Sequence, residues 1–415
     1  MISKFCKEVR QEIFFTWIMW GVVILGIVGV SAASGFEHTV TGAYARGSVR
    51  WLLGMDLYSE GMHGFLYLPH AAIFYSPFAV MPAWLGEPLW RVLMIGSFAY
   101  GIYALAGELE KRYVANLFTV SSLVALPMVL DSARNGQMTL LLTGLMLLAT
   151  RDLLRKEYGF MTVWLVLGFA LKPLIVVMFM LIGGVYARTM LRLAIGLVVM
   201  FVLPMLMASP SYVLAQYVGF IGKSSVATDP YELLYSRFCD VFGMLRAWGM
   251  PVNGELQTLV RIFVALAVWG VCYCGRRMWG HHLGACLILT FSICYLMLFN
   301  PRTEINTYSM LSVVLGIYVG WAIILNKQTI IGGCLIAFAV MIAFSYEVVH
   351  QLTPGREYWL PPLLTCVFTG YVLFLMVFDI RPVVKVDRVS PTQSDMLGVD
   401  AEKEAEGLVM TSSVS

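Results

Sequence analysis

The sequence predicts an all-α polytopic membrane protein, and three observations carry that expectation. Hydrophobic residues make up 59% of the chain and charged residues only 13%, against roughly 25% charged in soluble domains. About ten apolar stretches are each long enough to cross a bilayer, whose hydrocarbon core asks for ~20 helical residues. Between them fall short basic clusters, the pattern left when cytoplasmic turns retain Lys and Arg. The whole chain then holds about 12 membrane helices and little else. Residues 1–380 are read as one multi-pass membrane domain. Residues 381–415, polar and without apolar period, are read as a disordered cytoplasmic tail.

The elements follow in order. Lys4, Lys7 and Arg10 precede a first span over 14–33, which puts the amino terminus in the cytoplasm. Its apolar core of about 20 residues is longer than a signal peptide's, so the span is read as uncleaved. A large first outer loop follows, over 34–88. Within it, 40–53 suits a helix along the interface, with Val40, Tyr44, Val49, Leu52 and Leu53 opposite Arg46 and Arg50. Residues 65–84 are apolar enough to span, but a crossing there would carry Lys111 and Arg112 outside. With Pro69, Pro77 and Pro82 inside it, the segment is read as re-entrant or interfacial.

Spans near 114–131 and 137–150 meet outside at the tip 131–137. The stretch 158–187 breaks at Lys172-Pro173 into a short-armed hairpin, because proline disfavours helix in the residue before it. Spans near 191–208 and 258–275 bracket a long outer loop. Those near 283–299 and 307–325 meet outside at 300–304, and a last pair near 329–348 and 359–379 encloses 353–357. Both termini end inside, in what is read as a bacterial plasma membrane.

A net charge of +3, scattered along the chain, excludes a nucleic-acid partner. The eight cysteines lack CxxC or Cys/His ligand spacing, so no disulfide framework and no metal or other cofactor is expected. The informative polar residues lie on the outer side. Glu37 and Asp56 are carboxylates at the membrane surface, able to take a proton from a hydroxyl. The tip 131–137 gathers an acid with Arg134, Asn135 and Gln137. Lys172 has apolar flanks, and a charge at such depth costs a few kcal/mol unless it snorkels or is paired. Arg302 is a forked donor matched to phosphate oxygens, with Glu304 and Asn306 close behind.

Each has a plainer reading: a solvated helix end for Glu37, a turn for Asp56, a polar tip for 131–137, a snorkelling lysine, a hairpin-closing Arg–Glu pair. Together they describe one outward chamber with carboxylates for proton transfer and cations (Arg134, Lys172, Arg302) for phosphate. Tyr58, Tyr67, Asn135, Gln137, Glu304 and Asn306 are the candidate substrate contacts. A lipid-linked phosphosugar needs both chemistries, and no GxGxxG motif points to a nucleotide-linked donor.

Six short motifs carry a resemblance: Gly54-Met55-Asp56-Leu57-Tyr58, Phe65-Leu66-Tyr67-Leu68-Pro69, Ser76 to Pro82, Leu89-Trp90-Arg91, Asn135-Gly136-Gln137 and Leu171-Lys172-Pro173. In this order and spacing the chain resembles glycosyltransferase family 87, integral-membrane enzymes of the GT-C fold. The resemblance implies inverting transfer of a hexose, often mannose, from a polyprenyl-phosphate donor to a lipid or glycan acceptor on the non-cytoplasmic side. It also implies a catalytic carboxylate soon after the first span. The usual aspartate has no clear counterpart here, which leaves the base open between Glu37 and Asp56. The family's histidine motif is replaced by Asn300-Pro301-Arg302-Thr303-Glu304 with Asn306. From other classes, a transporter or flippase of a lipid-linked sugar, or an inactive relative serving as a membrane partner, are the alternative readings.

Overall fold

In this computed structural model the described residues are 2–36, 39–60, 64–227, 238–353 and 358–382. Every regular element among them is helical: α1 Ile2–Ala33, α2 Thr41–Leu52, α3 Pro69–Ala79, α4 Ala83–Leu109, α5 Val114–Asn135, α6 Thr139–Arg155, α7 Tyr158–Leu171, α8 Val176–Val185, α9 Met190–Val202, α10 Pro210–Ala227, α11 Val241–Ala247, α12 Gly254–Phe299, α13 Ser309–Gly320, α14 Thr329–Ala343, α15 Ser345–Leu352 and α16 Leu360–Val377. The all-α polytopic expectation holds. Seven helices among the described residues are long and apolar enough to cross a membrane, or eight if the pair Thr329–Ala343 and Ser345–Gln351, bent by 72°, is one span. The helix α12 departs from helical geometry at Gly280 (φ 82°), where the sequence separates the spans 258–275 and 283–299.

The bundle is layered as lipid solvent dictates. Residues 139–150 of α6 and all of α13 are buried. The outer helices α1 and α9 instead present Phe14, Phe15, Leu25, Leu191, Val198 and Val199 outward, the apolar-out surface that hydrocarbon accepts. With no hydrophobic drive between spans, close backbone packing holds helices together. A Cβ on Gly144 of α6 would sit 2.6 Å from the Ser97 carbonyl of α4, so only glycine permits that approach.

The region 65–84 forms α3 and the turn into α4. At 11 residues α3 is about 16 Å long, half the hydrocarbon thickness, and does not cross. The break at Lys172 is present, its backbone extended (φ −150°, ψ 113°) between α7 and the turn Pro173–Ile175. Tyr158 and Val185–Thr189 line one cleft, so the ends of 158–187 meet and the stretch is a hairpin. One expectation needs correction. The helix α2 exists, but Tyr44 and Trp51 face inward with Gly47 and Ser48, while Val49, Leu52 and Leu53 are exposed. It carries two apolar faces, because aromatic residues of α3 and α4 pack against Tyr44.

Candidate functional site

The polar residues gather at one end of the bundle, where α5 passes into α6. Gly136 ends α5 in the left-handed region (φ 71°), and a Cβ there would lie 2.5 Å from Thr41 Cγ2. Glycine is the residue that takes this turn at no steric cost. The turn is clamped from three sides. Trp90 Nε1 donates to Gly136 O (2.9 Å), Arg91 Nη2 donates to Arg134 O (3.0 Å), and Val40 N donates to Asn135 O (3.1 Å). Arg91 is fully buried, paired with Glu87, and its guanidinium lies 5.7 Å from the Phe36 ring. A buried charge is tolerable only when paired and hydrogen-bonded, so Glu87 and the tip carbonyl hold Arg91 as firmly as it holds them.

From this clamp a chain of side chains crosses the site. Lys172 Nζ donates to Thr139 Oγ1 (3.3 Å), Thr139 Oγ1 donates to Gln137 Oε1 (3.3 Å), and Gln137 Nε2 donates to Glu304 Oε2 (3.1 Å). Three of the sequence candidates, from the tip, the hairpin break and the 300–308 segment, thus share one network. Among the described residues no carboxylate forms an ion pair with Lys172. A second branch enters through Tyr44, whose Oη accepts from Met138 N (3.3 Å) and lies 3.4 Å from Tyr67 Oη. Burial, then Tyr67, raises its pKa, so Tyr44 stays a phenol with a proton to give. Tyr58 Oη donates to Tyr67 O (2.7 Å) and fixes that loop.

The remaining candidates stand apart from the network. Asp56 is exposed and accepts from Tyr58 N at 3.1 Å, in a loop tied to α10 by Leu57 N donating to Gln216 Oε1 (3.0 Å). Arg302 lies over the Phe238 ring at 5.4 Å. Arg134 is exposed, joined to the clamp through its carbonyl. Asn306 lines a cleft of about 240 Å³ with Asp131, Tyr308, Tyr346 and Glu347, and its buried Oδ1 has no hydrogen-bond partner among the described residues. Glu37 lies outside the described residues, as do the tail from 383, His38 and His63.

Sequence reasoning missed Tyr44, read only as apolar, and Thr139, which looks like an ordinary residue of a helical first turn. It also missed Asp240. That carboxylate caps α11 by accepting from Gly243 N (2.6 Å) and lies 3.5 Å from Arg261. Burial outweighs these attractions and pushes Asp240 up from 3.8 to about 6. The folded state therefore holds this proton more tightly than the unfolded chain does. The stabilising contribution is complete below about pH 4 and is lost as pH rises through about 6, on the order of 3 kcal/mol in all. Asp240→Asn keeps the cap acceptor, and Arg261 retains Phe299 O and Gln257 Oε1. It is expected to raise the Tm at pH 8 and leave it nearly unchanged at pH 4.5. An equal fall at both pH values contradicts this assignment.

The model of glycosyltransferase family 87 matches residues 65–299. The match takes in Tyr67, Arg134, Asn135, Gln137 and Lys172, and leaves Glu37, Asp56, Tyr58, Arg302, Glu304 and Asn306 outside it. No curated protein and no solved structure matches the chain. Since the match covers more than half of the 415 residues, the chain belongs to glycosyltransferase family 87.

Proposed function

We propose that this glycosyltransferase moves a hexose, with mannose the first candidate, from polyprenyl phosphate to an acceptor hydroxyl at the non-cytoplasmic surface. The observation that carries the reading is the line Lys172–Thr139–Gln137–Glu304, a cation and a carboxylate held in one polar network at the end of an apolar bundle. An apolar cleft of about 530 Å³ runs between α8, α9 and the first half of α12, and its lining begins at Val176. A phosphate held at Lys172 would leave its prenyl chain beside that cleft.

In the proposed step the acceptor oxygen bonds to the anomeric carbon while that carbon's bond to the phosphate oxygen breaks. The bonding pair leaves with polyprenyl phosphate, and the hydroxyl proton passes to a carboxylate. Glu37 is our choice of base, because the chain on either side is held at the tip: Phe36 beneath Arg91 and Val40 on the Asn135 carbonyl. Asp56 is the alternative, and already serves as a turn acceptor. Lys172, helped by Arg134 and Arg302, offsets the charge gathering on the leaving phosphate. Gln137, Glu304 and Asn306 hold sugar and acceptor hydroxyls, with Asn135, Tyr58 and Tyr67 at the rim.

The test is transfer by the purified chain in liposomes, with labelled mannose on polyprenyl phosphate or on a nucleotide. Covalent product from the lipid-linked donor alone is expected. Use of the nucleotide sugar, or movement of the lipid across the bilayer without covalent transfer, overturns the proposal.

A further inference from the structure

The far end of the bundle carries a second feature that the transfer reaction does not use. A cleft of about 540 Å³ lies where the 158–187 hairpin closes against α12, and Arg188, Arg276 and Arg277 line it with Tyr158, Tyr186 and Tyr273. Among the described residues no lining residue is acidic, and no ion pair involves these arginines. Asp152, the nearest buried acid in sequence, is held by Arg151 and Trp164.

The cations are positioned. The Arg276 guanidinium sits 3.9 Å from the Tyr186 ring centroid and donates to Val185 O, one of the carbonyls left over at the end of α8. Arg277 Nη2 donates to Tyr273 Oη at 2.7 Å. Each guanidinium has five N–H donors, so most remain for a guest. The second half of α12, from Gly280 to Phe299, separates this cleft from the 300–304 segment. At 1.5 Å per residue that is roughly 28 Å, one hydrocarbon thickness, so the cleft belongs at the opposite headgroup layer.

We infer that this cleft is a binding site for a phosphate-bearing headgroup, its source an acidic glycerophospholipid of the surrounding leaflet. Forked guanidinium donors match phosphate oxygens, and the tyrosines suit the polar–apolar boundary. Arg188 lies at the start of the span Ala187–Leu206 while Arg276 lies just before the break of α12 at Gly280, which puts both within reach of lipid headgroups. A soluble phosphate ester offers the same chemistry, and the two sources separate experimentally.

The purified full chain in neutral detergent is titrated with phosphatidylglycerol or phosphatidylcholine, and bound lipid is counted by native mass spectrometry, with and without inorganic phosphate. One phosphatidylglycerol is expected to bind at least about tenfold more tightly than phosphatidylcholine. Arg188 and Arg277 are exposed, so Arg188→Gln with Arg277→Gln spares the fold. At about fivefold per charge removed, the pair loses about 25-fold in affinity. Lys111→Gln with Arg112→Gln, the same charge change on another exposed turn, leaves affinity within about twofold. Displacement of the lipid by millimolar phosphate supports the headgroup chemistry and makes a soluble ester the source; resistance supports the lipid. Equal retention of both lipids, or equal loss in both double variants, overturns the inference.

Discussion

Lys172→Met is expected to fold normally and to lose about 10²- to 10³-fold in kcat/KM for the lipid-linked donor. The lysine is half-buried at the hairpin break, donates to Thr139 Oγ1, and has no carboxylate partner among the described residues. An unpaired cation in such surroundings is costly to the folded protein unless an anion arrives to meet it. In the proposed transfer step, charge grows on the phosphate oxygen that leaves the anomeric carbon. A fixed donor aimed at developing charge in a dry site is worth about 10²- to 10³-fold in rate. Methionine matches the stem in length and removes the ammonium together with its long hydrogen bond to Thr139. Relief of the unpaired charge offsets that loss, so the Tm should not fall. Lys172→Arg restores the charge with a different, planar geometry, and partial recovery is expected. A methionine variant with kcat/KM within about threefold of the parent would remove Lys172 from the donor site.

The sequence announced some of this architecture through physical contrast. Lys172 stood out because a charge among apolar residues needs a reason, and its proline neighbour marked the break that the backbone takes. The kink at Gly280 was legible for a similar reason: Arg276, Arg277, His281 and His282 interrupt an otherwise continuous apolar run. Gln137 and Glu304 were legible as polar density between spans, and they do meet. What joins them was not legible. Thr139 sits in a helical first turn and acquires its role only when α7 brings Lys172 alongside. Tyr44 counts as apolar in any periodic reading, yet its hydroxyl bridges the tip and the first loop. Arg302 looked equivalent to Lys172 in sequence and instead lies over Phe238. Such distinctions depend on which helix packs against which, and in a bundle of uniformly apolar spans local pattern carries little of that.

The largest effect is expected for Glu37→Gln: loss of about 10³-fold in kcat with KM for the donor nearly unchanged. General-base catalysis contributes about 10²- to 10⁴-fold, and glutamine keeps the size of the side chain while removing its basicity. Two isosteric controls discriminate position from charge. Asp56→Asn retains an oxygen for Tyr58 N and is expected to stay within about threefold of the parent. Glu304→Gln keeps a partner for Gln137 Nε2 and is expected to raise KM for the acceptor about tenfold, the worth of one charge-assisted hydrogen bond. The pH profile separates a base from a binding group. With a carboxylate base, kcat/KM falls as pH drops through the pKa of that group, and Glu37→Gln should abolish this acid limb along with most of the rate. If Glu37→Gln keeps the limb while Asp56→Asn loses it, the base is Asp56, and Glu37 has no part in the proton transfer.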